Sequence, residues 1–168
     1  LLDQPAAVRY PRGTGMGVEI QKKMQALPLG QAEVRRQGRD IAILAFGVMV
    51  EPALAAAEEL NATVVNMRFV KPLDEKLILE MAATHALLVT VEENVVDGGA
   101  GSGVSEILAR HGHACPIAHQ GLPDRLIQHG TREEMLKDAG LDRDGVLSFI
   151  RRVRGASPAG NKAQARVV

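Results

Sequence analysis

Aromatic residues are scarce in this sequence: they make up 2% of its 168 residues, and tryptophan is absent. Proteins that bind single-stranded nucleic acid stack the bases on aromatic rings, so this composition argues against such a surface. The 20 acidic residues equal the 20 basic ones, which leaves no basic excess to attract a nucleic-acid backbone. We therefore expect no nucleic-acid partner and a core built from alanine, valine, leucine, isoleucine and methionine.

Cysteine and long apolar runs are also scarce. The single cysteine, Cys115, excludes a disulfide within the chain and suits a reducing compartment. No run approaches the roughly 20 apolar residues that span a bilayer. The sequence also does not open with a basic stretch followed by an apolar segment, as a secretory signal does. These absences predict a cytoplasmic protein without a membrane partner.

What the sequence does contain is a regular alternation of two patterns over about residues 30–153. Near-continuous apolar runs are typical of strands buried on both faces, and apolar residues at helical spacing lie between them. This alternation predicts parallel βαβ units, and hence an α/β fold: a three-layer sandwich with a mostly parallel sheet. The predicted strands cover 40–46, 62–70, 86–94 and 115–123, and the predicted helices cover 50–61, 72–85, 98–112, 131–138 and 142–153.

The two ends of the chain lack this alternation. Residues 1–13 read as the terminal strand of a preceding, truncated domain, because a single strand has no neighbour with which to pair. Residues 14–29 contain many glycines and prolines and read as a linker. Residues 154–168 are rich in alanine, glycine and serine, so we expect a disordered tail. The sequence is therefore expected to be part of a longer protein.

The stretch "DGGAGSG", residues 97–103, is a glycine-rich turn that leads into a predicted helix. Backbone N–H groups at a helix start favour an anion. The order of the glycines matches neither a dinucleotide-binding fingerprint nor a P-loop. Glycines also permit close packing of a helix on a strand or a partner chain, and this interpretation is favoured over a bound anion.

Four side chains that can bind metals lie close together in "HGHACPIAH": His111, His113, Cys115 and His119. Their spacing repeats no usual zinc motif, and Pro116 interrupts the stretch that would hold them in register. We expect exposed or hydrogen-bonded histidines here, with a metal site as the weaker alternative.

Glu92 and Glu93 end the third predicted strand, at the sheet edge where open α/β proteins bind ligands. Adjacent strand residues point to opposite faces, so the two carboxylates do not form an acid/base pair. We expect a helix cap, or an ion pair with Arg68 or Lys71. Serines in the glycine-rich stretch lack a nucleophile-elbow motif, and the sequence predicts no catalytic residue.

Arginine brackets a proline in "RYPRG", residues 9–13. Arg12 precedes Gly13 at the end of the predicted strand, where a guanidinium suits a phosphate or a carboxylate. From the residues alone, a structural ion pair is an equal alternative.

Taken in order, several stretches resemble one family. They are "AVRYPRG", "MRFVKPLD", "VEEN" followed by "GGAGSGV", and "GLPD" before "HGT". With these stretches, the sequence over about residues 5–153 is similar to the C-terminal part of the 1-deoxy-D-xylulose-5-phosphate synthases, thiamine-diphosphate enzymes of the transketolase superfamily. Leu126 is a departure, since an aromatic residue is expected there.

The resemblance implies a transferase that condenses pyruvate with D-glyceraldehyde 3-phosphate to 1-deoxy-D-xylulose 5-phosphate and CO₂, for isoprenoid and thiamine synthesis. Thiamine diphosphate and Mg²⁺ would serve the whole enzyme and bind upstream of this chain. Arg12 would hold the substrate phosphate. The upstream domains would be partners, and the C-terminal domain would act as a scaffold in a homodimer. The chain alone is expected to be inactive.

Two alternatives stay open. The chain resembles, less specifically, the C-terminal domain of another thiamine-diphosphate enzyme such as a 2-oxo-acid dehydrogenase β subunit. The glycine-rich stretch also allows a stand-alone anion-binding or association module.

Overall fold

A computed structural model describes residues 3–11, 13, 15, 17 and 22–156. In the described part, two strands come first, strands and helices then alternate as far as Leu122, and two helices follow, with one turn of 3₁₀ helix at Gly47–Met49. The strands are β1 (Glu33–Arg36), β2 (Ile41–Ala45), β3 (Thr63–Asn66), β4 (Leu87–Val95) and β5 (Ile117–Leu122), and the helices are α1 (Val50–Leu60), α2 (Glu75–Thr84), α3 (Ala100–Arg110), α4 (Arg132–Asp138) and α5 (Arg143–Ala156).

The five strands form one sheet in the order β1-β3-β2-β4-β5. The pairs β2–β3, β2–β4 and β4–β5 are parallel, and the pair β1–β3 is antiparallel. Strands β2 and β4 lie inside the sheet, and every residue of β2 is buried. The prediction of a mostly parallel sheet is confirmed.

Two hydrophobic clusters cover the two faces of the sheet. On one face, alternate residues of β2 and β4 such as Ile43 and Val89 pack against α1 and α5. On the other face, the intervening residues such as Leu44 and Leu88 pack against α2 and α3. Because successive strand residues point to opposite faces, one apolar run supplies both clusters. The three-layer sandwich is therefore confirmed.

Two helix starts show why the chain folds locally as it does. The Asp74 carboxylate accepts a hydrogen bond from the Leu77 N–H at 3.0 Å and so forms the N-cap of α2. At α4, Thr131 and Glu134 form a reciprocal capping box. These caps pair backbone donors that a helix start leaves without partners.

The structure adds one strand to the predicted elements and moves the ends of two others. Strand β1 was not predicted, because its sequence EVRR is short and mostly charged and lies at a sheet edge. The predicted strand 62–70 ends at Asn66, whose side chain accepts from the Arg68 N–H at 3.1 Å while Arg68 adopts a left-handed φ of 55°. Helix α5 continues to Ala156, so the predicted tail cannot begin at 154. Residues 157–168 lie outside the described residues.

The segment before β1 is exposed and differs from the prediction. Residues 3–11 contain no strand, since no sheet strand pairs with them. Their assignment to a second domain stays a prediction. Among the described residues, no helix is both long enough and apolar enough to cross a bilayer.

Candidate functional site at the carboxyl end of β4

Strand β4 carries polar residues on one face near its carboxyl end. Leu88, Thr90 and Glu92 alternate toward α3, while Val89 and Val91 belong to the opposite cluster. Both Thr90 and Glu92 are buried, with Glu92 only 3% exposed. In open α/β sheets this edge is where ligands bind. Whether the buried polar groups here can bind a ligand depends on whether they already have partners within the protein.

Glu92 caps helix α3. Its two carboxylate oxygens accept from the Ala100 N–H at 2.7 Å and from the Gly101 N–H at 2.8 Å. A carboxylate at a helix start pairs orphan N–H groups and interacts favourably with the helix dipole. The helix cap expected for this glutamate is therefore confirmed. The anionic group at the glycine-rich helix start is thus the Glu92 carboxylate of this chain.

Glycine is required where α3 starts because side chains of β4 and β5 lie against its backbone. A Cβ at Gly99 would lie 2.6 Å from both carboxylate oxygens of Glu92. A Cβ at Gly101 would lie 2.5 Å from the Thr90 hydroxyl and 2.6 Å from His119 Nδ1. These approaches are too close for any side chain. The favoured interpretation of residues 98–103, close packing of a helix on a strand, agrees with this geometry.

His119 on β5 joins this polar cluster. Its Nδ1 lies 2.7 Å from the Thr90 hydroxyl and its Nε2 lies 2.8 Å from the Ser105 hydroxyl on α3. Burial lowers the pKa of His119, and the negative charge of Glu92 opposes that shift. The expectation of a hydrogen-bonded histidine is met here. The partners of His119 were not predicted from the sequence, although the alternation along β4 and β5 could have placed Thr90 beside it.

Glu93 points away from Glu92, as its position on the strand predicts. Its carboxylate accepts from Arg132 Nη2 at 2.9 Å, and its backbone carbonyl accepts from Arg9 Nη2 at 2.7 Å. The expected ion pair with Arg68 or Lys71 is wrong, because Arg68 instead binds Glu33 on the far edge of the sheet, at 2.7 Å.

The four metal-capable residues near β5 do not converge. His111 contacts Glu75 at 2.6 Å, His119 binds the two hydroxyls, and the Cys115 thiol donates to the His85 carbonyl at 3.6 Å. His113 is partly buried, and its Nδ1 has no hydrogen-bond partner among the residues that the structure describes. Within the described ranges, no three histidine, cysteine or acidic side chains are grouped to hold a metal.

The hydrogen bonds of Glu92 and His119 hold helix α3 in position against the sheet. Burial raises the pKa of the Cys115 thiol, which disfavours the nucleophilic thiolate. Ser102 donates to the Gly99 carbonyl at 2.6 Å. Arg12, the residue predicted to bind a substrate phosphate, lies outside the described residues, and that role stays a prediction.

Comparison with known proteins gives a family match. The family described as transketolase, C-terminal domain, matches residues 30–146. The chain is 60% identical over all 168 residues to a 1-deoxy-D-xylulose-5-phosphate synthase of Nitrosococcus oceani, of which it covers 26%. It is 61% identical over 150 residues, 89% of this chain, to the synthase of the same name from Chromobacterium violaceum, of which it covers 24%. The chain thus spans about a quarter of the length of these curated relatives.

Solved structures show the same architecture. One, described as a split gene transketolase, inactive beta4 tetramer, matches with a TM-score of 0.70 and 33% identity over 75% of this chain and 43% of its own. A transketolase of Campylobacter jejuni matches with a TM-score of 0.54 and 17% identity, over 73% of this chain and 18% of its own. The second likeness concerns the fold alone. The resemblance drawn from the sequence motifs is confirmed.

Proposed function

Because the chain belongs to the transketolase C-terminal domain family, we propose that it forms the C-terminal part of a 1-deoxy-D-xylulose-5-phosphate synthase. The whole enzyme is a transferase that condenses pyruvate with D-glyceraldehyde 3-phosphate and releases CO₂. Its product serves isoprenoid and thiamine synthesis.

One observation carries this proposal: 60% identity extends over the entire chain to a protein of that name. The synthases from Thioalkalivibrio sulfidiphilus and Nitrosospira multiformis match at 60% and 59%. These names favour the synthase over a 2-oxo-acid dehydrogenase β subunit. The Glu92 cap weighs against a stand-alone anion-binding module, because the N–H groups of Ala100 and Gly101 already have an anionic partner.

Thiamine diphosphate and Mg²⁺ remain part of the proposal for the whole enzyme. The described residues of this chain do not fit either group. The glycine-rich helix start is occupied by a carboxylate, and the described ranges contain no cluster of metal ligands. We therefore propose that both groups bind to the upstream domains.

The role proposed for residues 30–153 is to scaffold those domains and to support a homodimer. Helix α3 starts with small residues, and Ser102 and Gly103 there are only partly buried in this chain. A partner surface can approach closely at such a place. Ser102→Leu in the full-length enzyme should then weaken assembly, and an unchanged mass in sedimentation would argue against the assignment.

Arg12 is the proposed ligand of the glyceraldehyde 3-phosphate phosphate group. Arg12→Ala in the full-length enzyme should lower kcat/KM for this acceptor by roughly 30-fold, because a charge-assisted contact to phosphate is lost. The same variant should use unphosphorylated D-glyceraldehyde about as well as the parent enzyme does. Synthase activity absent from the parent enzyme would refute the function, and an equal loss on both acceptors would refute the role of Arg12.

A further inference from the structure

A cavity of about 410 Å³ lies beside β5, on the face of the sheet that α1 and α5 cover. Its wall is formed by β5 and the loop that follows, by the end of α4 and by one side of α5. His119 on β5 binds Ser105 of α3, so the next residue, Gln120, points to the other face of the sheet. Sites for small ligands usually measure about 300–1,000 Å³. The cavity is therefore large enough for a small molecule and opens on the side away from α3.

Two cationic side chains line this cavity: Lys137 at the end of α4 and Arg152 on α5. Neither forms an ion pair with another side chain in the described part of the chain. Asp138 also lines the cavity, but Arg125 binds its carboxylate at 2.8 Å and offsets its charge. The cavity therefore carries a positive charge, which favours an anionic ligand.

Arg152 is held beside the cavity by an aromatic ring. Its guanidinium carbon lies 5.5 Å from the centroid of the Phe149 ring, and Phe149 lines the same cavity and packs against the core. This cation–π contact restricts the side chain, so Arg152 loses less conformational freedom when it binds a ligand. Because a guanidinium presents several N–H donors in one plane, Arg152 suits the oxygens of a phosphate group.

Gln120 provides a hydrogen-bond acceptor at the cavity wall. The residue is only 7% exposed, and its Nε2 donates to the carbonyl of Gly140, which also lines the cavity, at 2.6 Å. Its Oε1 is buried and has no hydrogen-bond partner among the described residues. A buried acceptor without a partner costs about 1–3 kcal/mol. A ligand that brings a hydroxyl donor to this amide would remove that cost.

We propose that this cavity is a binding site for a small phosphate ester that carries a hydroxyl group. Arg152 and Lys137 bind the phosphate, and Gln120 Oε1 accepts a hydrogen bond from the hydroxyl. A phosphate fits better than a carboxylate, because the two cations come from different helices and a phosphate offers three oxygens and nearly two negative charges. Binding here requires no step of the synthase reaction, so the site goes beyond the function proposed above.

Hydrogen exchange of the full-length protein, followed by mass spectrometry of its peptides, measures binding at this cavity locally. The probes are glycerol 3-phosphate, inorganic phosphate and glycerol. Glycerol 3-phosphate should slow exchange in peptides that cover residues 137–152, because a ligand that binds the folded state suppresses local opening. Its concentration at half-maximal protection should be about fivefold lower than that of phosphate, the effect of one added hydrogen bond. Glycerol alone should give no protection.

Three variants assign the contacts. Arg152→Ala should raise the glycerol 3-phosphate concentration at half-maximal protection at least about tenfold, because a charge-assisted contact is lost. Arg154→Ala is the matched control, since Arg154 is exposed on the same helix and does not line the cavity. It should change this concentration by less than about twofold. Gln120→Met should abolish the preference for glycerol 3-phosphate over phosphate.

Unprotected peptides with both anions, or equal effects of Arg152→Ala and Arg154→Ala, would overturn the site. Equal half-maximal concentrations for glycerol 3-phosphate and phosphate in the parent protein would overturn the hydroxyl contact to Gln120. That comparison needs no substitution, so it holds even where Gln120→Met fails to fold. None of these measurements depends on synthase activity, and the site and the proposed function can therefore fail separately.

Discussion

The two faces of β4 differ in kind. Toward α1 and α5, Val89 and Val91 are fully buried among apolar side chains. Toward α3, Thr90 and Glu92 are equally buried but hydrogen-bonded. Apolar burial is non-directional and tolerates small shifts, whereas a carboxylate that pairs two N–H groups fixes the position of a helix start. The apolar face of β4 therefore mainly contributes stability, while the polar face also determines where α3 begins.

Of the substitutions on these two faces, Glu92→Ala should have the largest effect on stability. It removes the acceptor of two buried N–H groups, which should lower the free energy of unfolding by about 3 kcal/mol. Urea denaturation measures the change, and hydrogen exchange at Ala100 and Gly101 should accelerate. A loss below about 1 kcal/mol would mean that the cap does not hold α3.

An exchange of residue types between the faces should give smaller effects. Val89→Thr buries a hydroxyl among apolar side chains and should cost about 2 kcal/mol. Thr90→Val keeps the shape but removes one of the two hydroxyls that contact His119, at a cost of about 1 kcal/mol. Urea denaturation of both variants provides the check. If Thr90→Val proves stabilising, the polar face is not needed for stability.

The smallest expected effect is a change in how stability depends on pH, and it is specific to His119. Because the pKa of His119 is lowered on folding, the unfolded chain binds its proton at a higher pH than the folded chain does. Stability should therefore fall as the pH drops below about 6.5, the ordinary pKa of histidine, toward the lowered pKa of the folded state, and then level off.

His119→Gln should remove this component of the pH dependence, while Thr90→Val should leave a titrating histidine in place. Thermal melts between about pH 5 and pH 8 supply the measurement. An unchanged slope in His119→Gln would assign the pH dependence to other groups.

The inner strands could be predicted from the sequence because their apolar runs are nearly continuous. The residues 40–46 predicted as a strand contain β2, and 86–94 overlaps β4 almost completely. Strand β1 could not be found this way, because its sequence is mostly charged. It is a strand because its backbone pairs with β3, which is distant in sequence. The end of β3 was missed because Arg68 turns the chain through a left-handed conformation that local propensity does not reveal.

The candidate site was predictable only in part. The position of Glu92 beside a glycine-rich helix start indicated a cap, and the structure has one. The partners of Glu93 were not predictable, because Arg132 and Arg9 lie 39 and 84 positions away in sequence. The distance between such residues depends on how helices and loops pack at the sheet edge, which periodicity does not describe.

The most direct measurement is a turnover assay with pyruvate, D-glyceraldehyde 3-phosphate, thiamine diphosphate and Mg²⁺. The assay compares this chain, the expected upstream portion, and the two co-expressed and purified together. We expect synthase activity only when the two portions are present together. Full activity of the upstream portion alone, activity of this chain alone, or an inactive co-purified complex would each contradict this expectation.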